Sequence, residues 1–247
     1  MDFSEGAMNA LSFAIRIANA MQSNVMMVWV DKKKVTGTVY ANAFDPRPEA
    51  KKRFEYIVEE YASKLTGGKF LYKMRNGKVQ IEIANQAKYH DAFLIVAGTF
   101  GTSGFEEFWI GSNAHKIVAN AECPVITMRY NEELTKPIRK ILIPLDSTQE
   151  TRQKVPFATY LAKSLGASIK LLSIYSSSVH TIRNLVDEYT IQTGKYIEEQ
   201  DIEYSVDVIE VENVTNGTIQ YAQEKQSDLI CIMTDQESSP MNLLLGT

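Results

Sequence analysis

The chain has 247 residues, of which 45% are hydrophobic and 23% are charged, and its formal net charge is -4 at pH 7. This composition is typical of a globular protein with one large domain or two of about 120 residues each. The mild negative charge gives no electrostatic reason to expect binding to nucleic acid or to an anionic membrane. No apolar run reaches the roughly 18 residues that span a bilayer, and no signal peptide is evident, so we expect a cytoplasmic protein.

The chain contains two cysteines, Cys123 and Cys231, which lie in different halves of the sequence. Two such distant thiols exclude a disulfide framework and indicate a reducing compartment. The three histidines, His90, His115 and His180, show no metal-ligand spacing, and no Cys-x2-Cys pair occurs. We therefore predict neither a zinc site nor a catalytic histidine.

Helical and strand patterns alternate through the first half of the chain. Residues 2–18 indicate a turn followed by an amphipathic helix. Strands are then predicted at 25–30, 70–74, 92–97 and 125–130, with helices at 48–65, 79–89 and 113–120. The polar segment 131–139 contains Pro137 and is predicted to be a short linker.

The second half continues the same alternation. Strands are predicted at 140–145, 169–175, 204–211 and 229–233, with helices at 151–165, 181–200 and 218–225. Because the strands are almost continuously apolar, they predict parallel sheets that are covered by helices on both faces. Sheets of this type bind ligands at the carboxyl ends of their strands.

The second half repeats the first. MDFSEGAMNALSFAIRIANAMQSNVMMVWV, at 1–30, aligns without a gap with LDSTQETRQKVPFATYLAKSLGASIKLLSI, at 145–174, and places Asp2 on Asp146 and Ser4 on Thr148. Duplication of one folding unit explains this match and divides the chain in two. The apolar strand KILIPL leads into Asp146, whereas almost nothing precedes Asp2, and the second copy stops where the first continues. We therefore expect a chain that is clipped at both ends.

A glycine-rich stretch, GTFGTSGFEEFWIGSNAHKIV, follows the predicted strand at 92–97. Its spacing is Gly98, two residues, Gly101, nine residues, then Gly111 and Ser112, which fits neither a P-loop nor the dinucleotide fingerprint. The stretch offers backbone N–H groups and the start of a helix, where partial positive charge favours phosphate. The residues alone leave two interpretations open, a phosphate site and a glycine-rich turn.

This glycine spacing, together with CPVITMR at 123–129 and DFSEGAMNALSFAIRIA at 2–18, resembles the universal stress protein family over nearly the whole chain. The resemblance implies two tandem Rossmann-like domains of the adenine-nucleotide alpha hydrolase-like type, each a five-stranded parallel sheet with helices on both faces. The first domain would span 1–133 without its first strand. The second would span 139–247 as a degenerate copy without its last helix and strand.

Members of the family often dimerise, and they divide into nucleotide binders, which carry this glycine motif, and non-binders. The resemblance therefore implies that the first domain binds ATP, with or without Mg²⁺. The residues implied for the nucleotide site are Gly98, Gly101, Gly111 and Ser112 for the phosphates and ribose, Asp2 near the nucleotide and Val30 beside adenine. We expect a homodimer or a pairing of the two domains within one chain.

In the second copy, Met233 and Gln236 occupy the positions of the first two motif glycines, and Asp235 and Glu237 add negative charge. Side chains there would fill the space where backbone must approach phosphate, so we predict that this domain does not bind nucleotide and has a structural role.

The remaining candidates for chemistry do not favour an enzyme. Cys123 precedes Pro124 and is interpreted as a strand-entry residue, and the adjacent Glu106 and Glu107 are interpreted as a solvated face. Trp109 packs against a partner domain or covers the core, and both interpretations stay open. At most a slow ATPase is expected. Two hypotheses follow: an ATP-binding regulatory module of the stress response, or an interaction scaffold without nucleotide.

Overall fold

The computed structural model describes residues 1–31, 45–99, 112–129 and 136–234. The chain forms two compact units, Met1–Thr135 and Lys136–Thr247. The division between them falls inside the polar segment 131–139, where the sequence predicts a linker.

The first unit alternates helices and strands in the predicted order. Its helices are α1 (Glu5–Met21), α2 (Arg47–Tyr61), which continues into a 3₁₀ turn at Ala62–Lys64, α3 (Val79–Tyr89) and α4 (Ser112–Asn120). Its strands are β1 (Val25–Asp31), β2 (Phe70–Asn76), β3 (Ile95–Thr99) and β4 (Val125–Arg129). β1 pairs with β2 and β3 pairs with β4, and both pairs are parallel.

Helix α1 holds the first unit together because two of its faces are buried. One face, which includes Leu11, Ile15 and Ala18, belongs to a core that also contains Phe54 of α2 and Met27 of β1. The helix packs against β3 as well as against β1. The side-chain oxygen of Ser4 accepts a hydrogen bond from the Ala7 N–H and caps its first turn. The helix ends at Gln22, which adopts the left-handed conformation with φ 52°.

The second unit contains one continuous parallel sheet. Its strands are β5 (Lys140–Leu145), β6 (Ser168–Tyr175), β7 (Tyr204–Glu210) and β8 (Leu229–Ile230), in the spatial order β7-β6-β5-β8. Its helices are α5 (Val155–Leu165), which follows a 3₁₀ turn at Gln149–Arg152, α6 (His180–Glu198) and α7 (Val214–Glu224). Leu142, Leu172 and Ile174 are 0% exposed, because a central parallel strand is covered on both faces.

The two units correspond strand by strand, with one exception. By the sequence repeat, β1, β2 and β3 are the counterparts of β6, β7 and β8, but no described strand of the first unit corresponds to β5. In the second unit β5 joins β6 to β8. Without such a central strand, the first unit has two separate two-stranded sheets.

The exposure of β1 agrees with this difference. Val28 and Val30 are only half-buried, whereas their counterparts Leu172 and Ile174 are fully buried. The described residues form sheets of two, two and four strands, so they do not confirm the predicted five-stranded sheet in each domain.

Candidate functional site

The segment Met1–Gly6 contacts β1 at Val28 and β3 at Gly98. At one end of the segment, the amino group of Met1 donates a hydrogen bond to the carbonyl oxygen of Val28 in β1. At the other end, the backbone of Gly6 lies directly against Gly98 in β3. A Cβ atom added to Gly98 would lie 2.4 Å from the Gly6 carbonyl oxygen. The turn that contains Asp2 therefore lies between a residue in the middle of β1 and the second-to-last residue of β3.

Asp2 closes this turn through two hydrogen bonds. Its Oδ1 accepts hydrogen bonds from the backbone N–H of Ser4 at 3.1 Å and from the Ser4 hydroxyl at 2.6 Å. Partial burial opposes ionisation of Asp2, but the Ser4 hydrogen bonds and the nearby amino group of Met1 outweigh it and lower the pKa below its ordinary value. Asp2 is thus an anion at neutral pH. Its Oδ2 has no hydrogen-bond partner within the described residues.

The second unit repeats this turn atom for atom. Oδ1 of Asp146 accepts from the Thr148 N–H at 3.0 Å and from the Thr148 hydroxyl at 2.6 Å. The gapless alignment pairs these residues with Asp2 and Ser4, so the repeat in the sequence is also a repeat in local structure.

Two residues of the predicted site, Val30 and Gly98, lie near the carboxyl ends of strands. Val30 is half-buried in β1 opposite Arg75 of β2, and Gly98 lies in β3 opposite Met128 of β4. Ser112 is the first residue of α4, so that helix begins one residue earlier than predicted. Gly101 and Gly111 lie outside the described residues, as do Trp109, Glu106 and Glu107.

The structure gives a reason for glycine at position 98 that the sequence did not reveal. Contact with the backbone of Gly6 already excludes a side chain there, whatever lies beyond β3. The first glycine of the motif is therefore needed for packing between β3 and the start of α1.

Sequence reasoning missed a charged residue at the corresponding edge of the second unit. Lys154 is 6% exposed, and its Nζ donates to the Oγ1 atom of Thr151 at 3.2 Å. Burial lowers the pKa of Lys154 to about 8, against the opposing influence of Cys231 and Asp146. The repeat alignment could have revealed it, because it pairs Lys154 with the small apolar Ala10 of the first unit.

Other candidates carry less chemistry. In the part of the chain that the structure describes, no group of three or more His, Cys, Asp and Glu side chains could hold a metal ion. Cys123 is half-buried, and burial raises the pKa of its thiol, which agrees with a structural residue at the start of β4. Among the described helices, none is long and apolar enough to cross a membrane.

Comparison with known proteins identifies the family. The chain matches the universal stress protein family over residues 1–129 and 137–247. It is 32% identical to universal stress protein YxiE of Bacillus subtilis (strain 168) over 142 residues, which cover 52% of this chain and 95% of that protein.

Two solved structures share the fold at low sequence identity. A universal stress protein from Archaeoglobus fulgidus DSM 4304 has a TM-score of 0.71 and 16% identity, over 93% of this chain and 83% of that one. A protein from Pseudomonas aeruginosa UCBPP-PA14, described as a putative universal stress protein, has a TM-score of 0.65 and 18% identity, over 96% and 81%. With family matches in both halves, the chain belongs to the universal stress protein family and carries two of its domains in tandem.

Proposed function

We propose that the first unit binds an adenine nucleotide, ATP, at the carboxyl ends of β1 and β3, and that the protein is a regulatory or signalling module of the stress response. The observation that carries this proposal is the path of the segment Met1–Gly6. Its contacts with Val28 and Gly98 hold a charged Asp2 between β1 and β3, and parallel sheets bind ligands at the carboxyl ends of such strands, which supports the proposal.

The donor and acceptor groups at this edge fit a nucleotide. Oδ2 of Asp2 can accept from a ribose hydroxyl or an adenine amino group, since the Ser4 hydrogen bonds occupy only Oδ1. Val30 would supply an apolar wall for the base. The N–H groups at the start of α4, a helix of nine residues, would face phosphate oxygens.

The rest of the proposed phosphate site rests on the glycine motif. Gly101 and Gly111 would let the backbone approach the phosphates, and Ser112 would add its N–H group. Mg²⁺, where bound, would neutralise phosphate charge, and it would be held by the phosphates and water, as is usual for this ion. We propose binding as the function, with hydrolysis slow at most, in a cytoplasmic protein that pairs as a homodimer or through its own two units.

The first test measures what the purified protein carries. The protein is denatured, and any released nucleotide is identified and quantified by chromatography. We expect close to one ATP per chain. The second test is titration of nucleotide-free protein with ATP and with other adenine nucleotides.

A pair of matched variants then tests the site. Asp2→Asn removes the charge but keeps an oxygen that can accept from Ser4, so we expect weaker ATP binding with the turn intact. Asp45→Asn is the control, because Asp45 is exposed and its Oδ1 likewise accepts from the N–H group two residues on, that of Arg47, at 3.0 Å. Equal ATP affinity in the Asp2→Asn variant and the wild type would exclude the proposed role of Asp2.

The glycine motif needs its own variant. A bulky residue at Gly101 should abolish ATP binding while the circular dichroism spectrum and the melting temperature stay unchanged. Unchanged affinity in that variant would exclude the loop as the phosphate site.

An interaction scaffold without nucleotide is the second candidate function. It is favoured by the contact between Gly98 and Gly6, because this contact accounts for the first motif glycine with no ligand present. No released nucleotide and no ATP affinity up to millimolar concentration would support the scaffold.

A further inference from the structure

A buried ammonium group lies at the carboxyl edge of the second sheet. Lys154 directly precedes α5 and is 6% exposed, and Thr151, which hydrogen-bonds its Nζ, is 3% exposed. Burying a charged amine is costly unless other groups compensate for the lost hydration. A lysine in this position therefore needs an explanation.

The position is the point at which the strand order of the second sheet reverses. From β5 the chain crosses to β6 and β7 on one side, and β8 lies on the other side of β5. Asp146 directly follows β5, and Cys231 directly follows β8, with its N–H donating to the Leu142 carbonyl oxygen at 2.9 Å. Crevices at such reversal points are the usual ligand sites of parallel sheets.

The hydrogen bonds at Thr151 leave donors unused. Its Oγ1 accepts from Lys154 Nζ at 3.2 Å and from the Asp146 N–H at 3.2 Å, which occupies both lone pairs of the hydroxyl oxygen. The hydroxyl hydrogen of Thr151 and two hydrogens of the ammonium group have no acceptor within the described residues. Three buried donors from two adjacent side chains form a cluster suited to an anion with several oxygen atoms.

The charge of the cluster points the same way. Within the described residues no carboxylate lies within ion-pair distance of Lys154 Nζ, whereas the lysines that do form ion pairs there are more exposed. Burial raises the pKa of the Cys231 thiol to about 11, so this neighbour is neutral at pH 7. Asp146 is near enough to influence Lys154 electrostatically but makes no ion pair with it.

The cation is particular to the second unit. The aligned residue of the first unit is Ala10, and Gly98 of β3 is replaced by Met233 in the second unit. The second unit thus offers a side-chain cation and a hydroxyl group, where the aligned cation position of the first unit holds a small apolar residue.

We propose that the second unit binds a small phosphate ester with free hydroxyl groups, such as a sugar phosphate. Its phosphate would accept from Lys154 and Thr151, and its hydroxyl groups would donate to Oδ2 of Asp146, which has no described partner. The site would be separate from the nucleotide site proposed for the first unit and uses none of the same residues. It reverses the expectation that the second copy is only structural.

The experiment is isothermal titration calorimetry of the full chain with ribose 5-phosphate. All proteins carry Asp2→Asn, so that the first unit does not contribute. The variants are Lys154→Met, Thr151→Val and, as a control, Lys163→Met, because Lys163 is an exposed lysine on the same helix. Ribose and sulfate serve as ligands that lack the phosphate and the sugar, respectively.

We expect one equivalent to bind to the parent protein and to Lys163→Met with the same affinity. Lys154→Met should lose at least ten-fold in affinity, and Thr151→Val several-fold. Because an anion beside the ammonium raises its pKa, binding at pH 8 should take up protons, so the measured enthalpy should depend on the buffer. This dependence should vanish in Lys154→Met.

Four results would overturn the proposal: no binding by the parent protein at millimolar ligand, equal affinity of Lys154→Met, equal affinity for sulfate or ribose, or binding without proton uptake. Should Lys154→Met fail to fold, Thr151→Val and the proton uptake of the parent protein test the same site. ATP titration of the chain with Asp2 restored tests the first unit separately.

Discussion

Replacing Lys154 with Met should change how the stability of the protein depends on pH. Burial lowers the pKa of Lys154 from 10.5 to about 8 in the folded chain. Below pH 8 both the folded and the unfolded chains carry the proton, and the folded state bears the full cost of the buried charge. Between pH 8 and 10.5 the folded chain has released the proton and the unfolded chain still binds it. Stability should therefore rise with pH in this window.

The two pKa values give the size of the effect. They differ by about 2.5 pH units, and at 1.36 kcal/mol per unit the buried charge costs about 3 kcal/mol at neutral pH. About 1 kcal/mol of this should be recovered between pH 7 and pH 9. Lys154→Met removes the charge but also the hydrogen bond to Thr151, which contributes about 1 kcal/mol. We therefore expect the variant to be about 2 kcal/mol more stable at pH 7 and about 1 kcal/mol more stable at pH 9.

Urea unfolding from pH 7 to pH 9, in buffers free of phosphate, measures this difference. The range ends at pH 9 because the thiol of Cys231, whose pKa is raised to about 11, lowers stability at higher pH as it ionises first in the unfolded chain. Lys163→Met is the matched control, since Lys163 is an exposed lysine on the same helix. Two results would refute the claim that Lys154 carries a buried, uncompensated charge. One is a stability difference between Lys154→Met and the wild type that stays constant from pH 7 to pH 9. The other is a variant that is less stable than the wild type at pH 7.

Two further variants test the first unit. Gly98→Ala should lower the free energy of unfolding, measured in urea, by about 1–3 kcal/mol, because the added Cβ atom would lie 2.4 Å from the Gly6 carbonyl oxygen. An unchanged free energy of unfolding would exclude that contact. Ser4→Ala should cost about 1 kcal/mol in the same assay through loss of the α1 cap, and no loss would mean that the cap is not formed.

The strands and several helices could be predicted because their sequences are unambiguous. Helix α3 and strand β5 begin and end at the predicted residues. KILIPL is an apolar run between a linker and an aspartate, so no other element competes for it. β8 is two residues long instead of five, since only Leu229 and Ile230 pair with β5.

Two helix starts were predicted wrongly for reasons of capping. Helix α5 begins at Val155, and not at the predicted 151, because Pro156 has no N–H group and is tolerated only in the first turn. A 3₁₀ turn fills the preceding residues. Helix α7 begins at Val214, four residues before the prediction, because the side chain of Asn213 accepts from the Asn216 N–H at 2.9 Å and caps an earlier turn.

The site was harder to predict than the fold because its main features are contacts between distant segments. Nothing in the sequence places Gly6 against Gly98, so the glycine could be assigned only to a loop or a phosphate. Lys154 was overlooked because a lysine beside a helix is normally solvated. Its burial depends on its position between the ends of β5 and β8, which tertiary packing determines.

The two copies have kept the same turn and changed what surrounds it. Asp2 and Asp146 are held by the same pair of hydrogen bonds. The turn therefore has the same form in the unit that carries the glycine motif and in the unit that lacks it. If the turn served the fold alone, its carboxylate could be neutral, since an asparagine oxygen accepts the same bonds. Both units instead retain an aspartate, and its Oδ2 has no hydrogen-bond partner within the described residues. We propose that the ligand of the first unit also contacts the glycine motif, and that the ligand of the second contacts Lys154 and Thr151. A ligand with hydroxyl or amino groups on one side and phosphate on the other would account for both combinations.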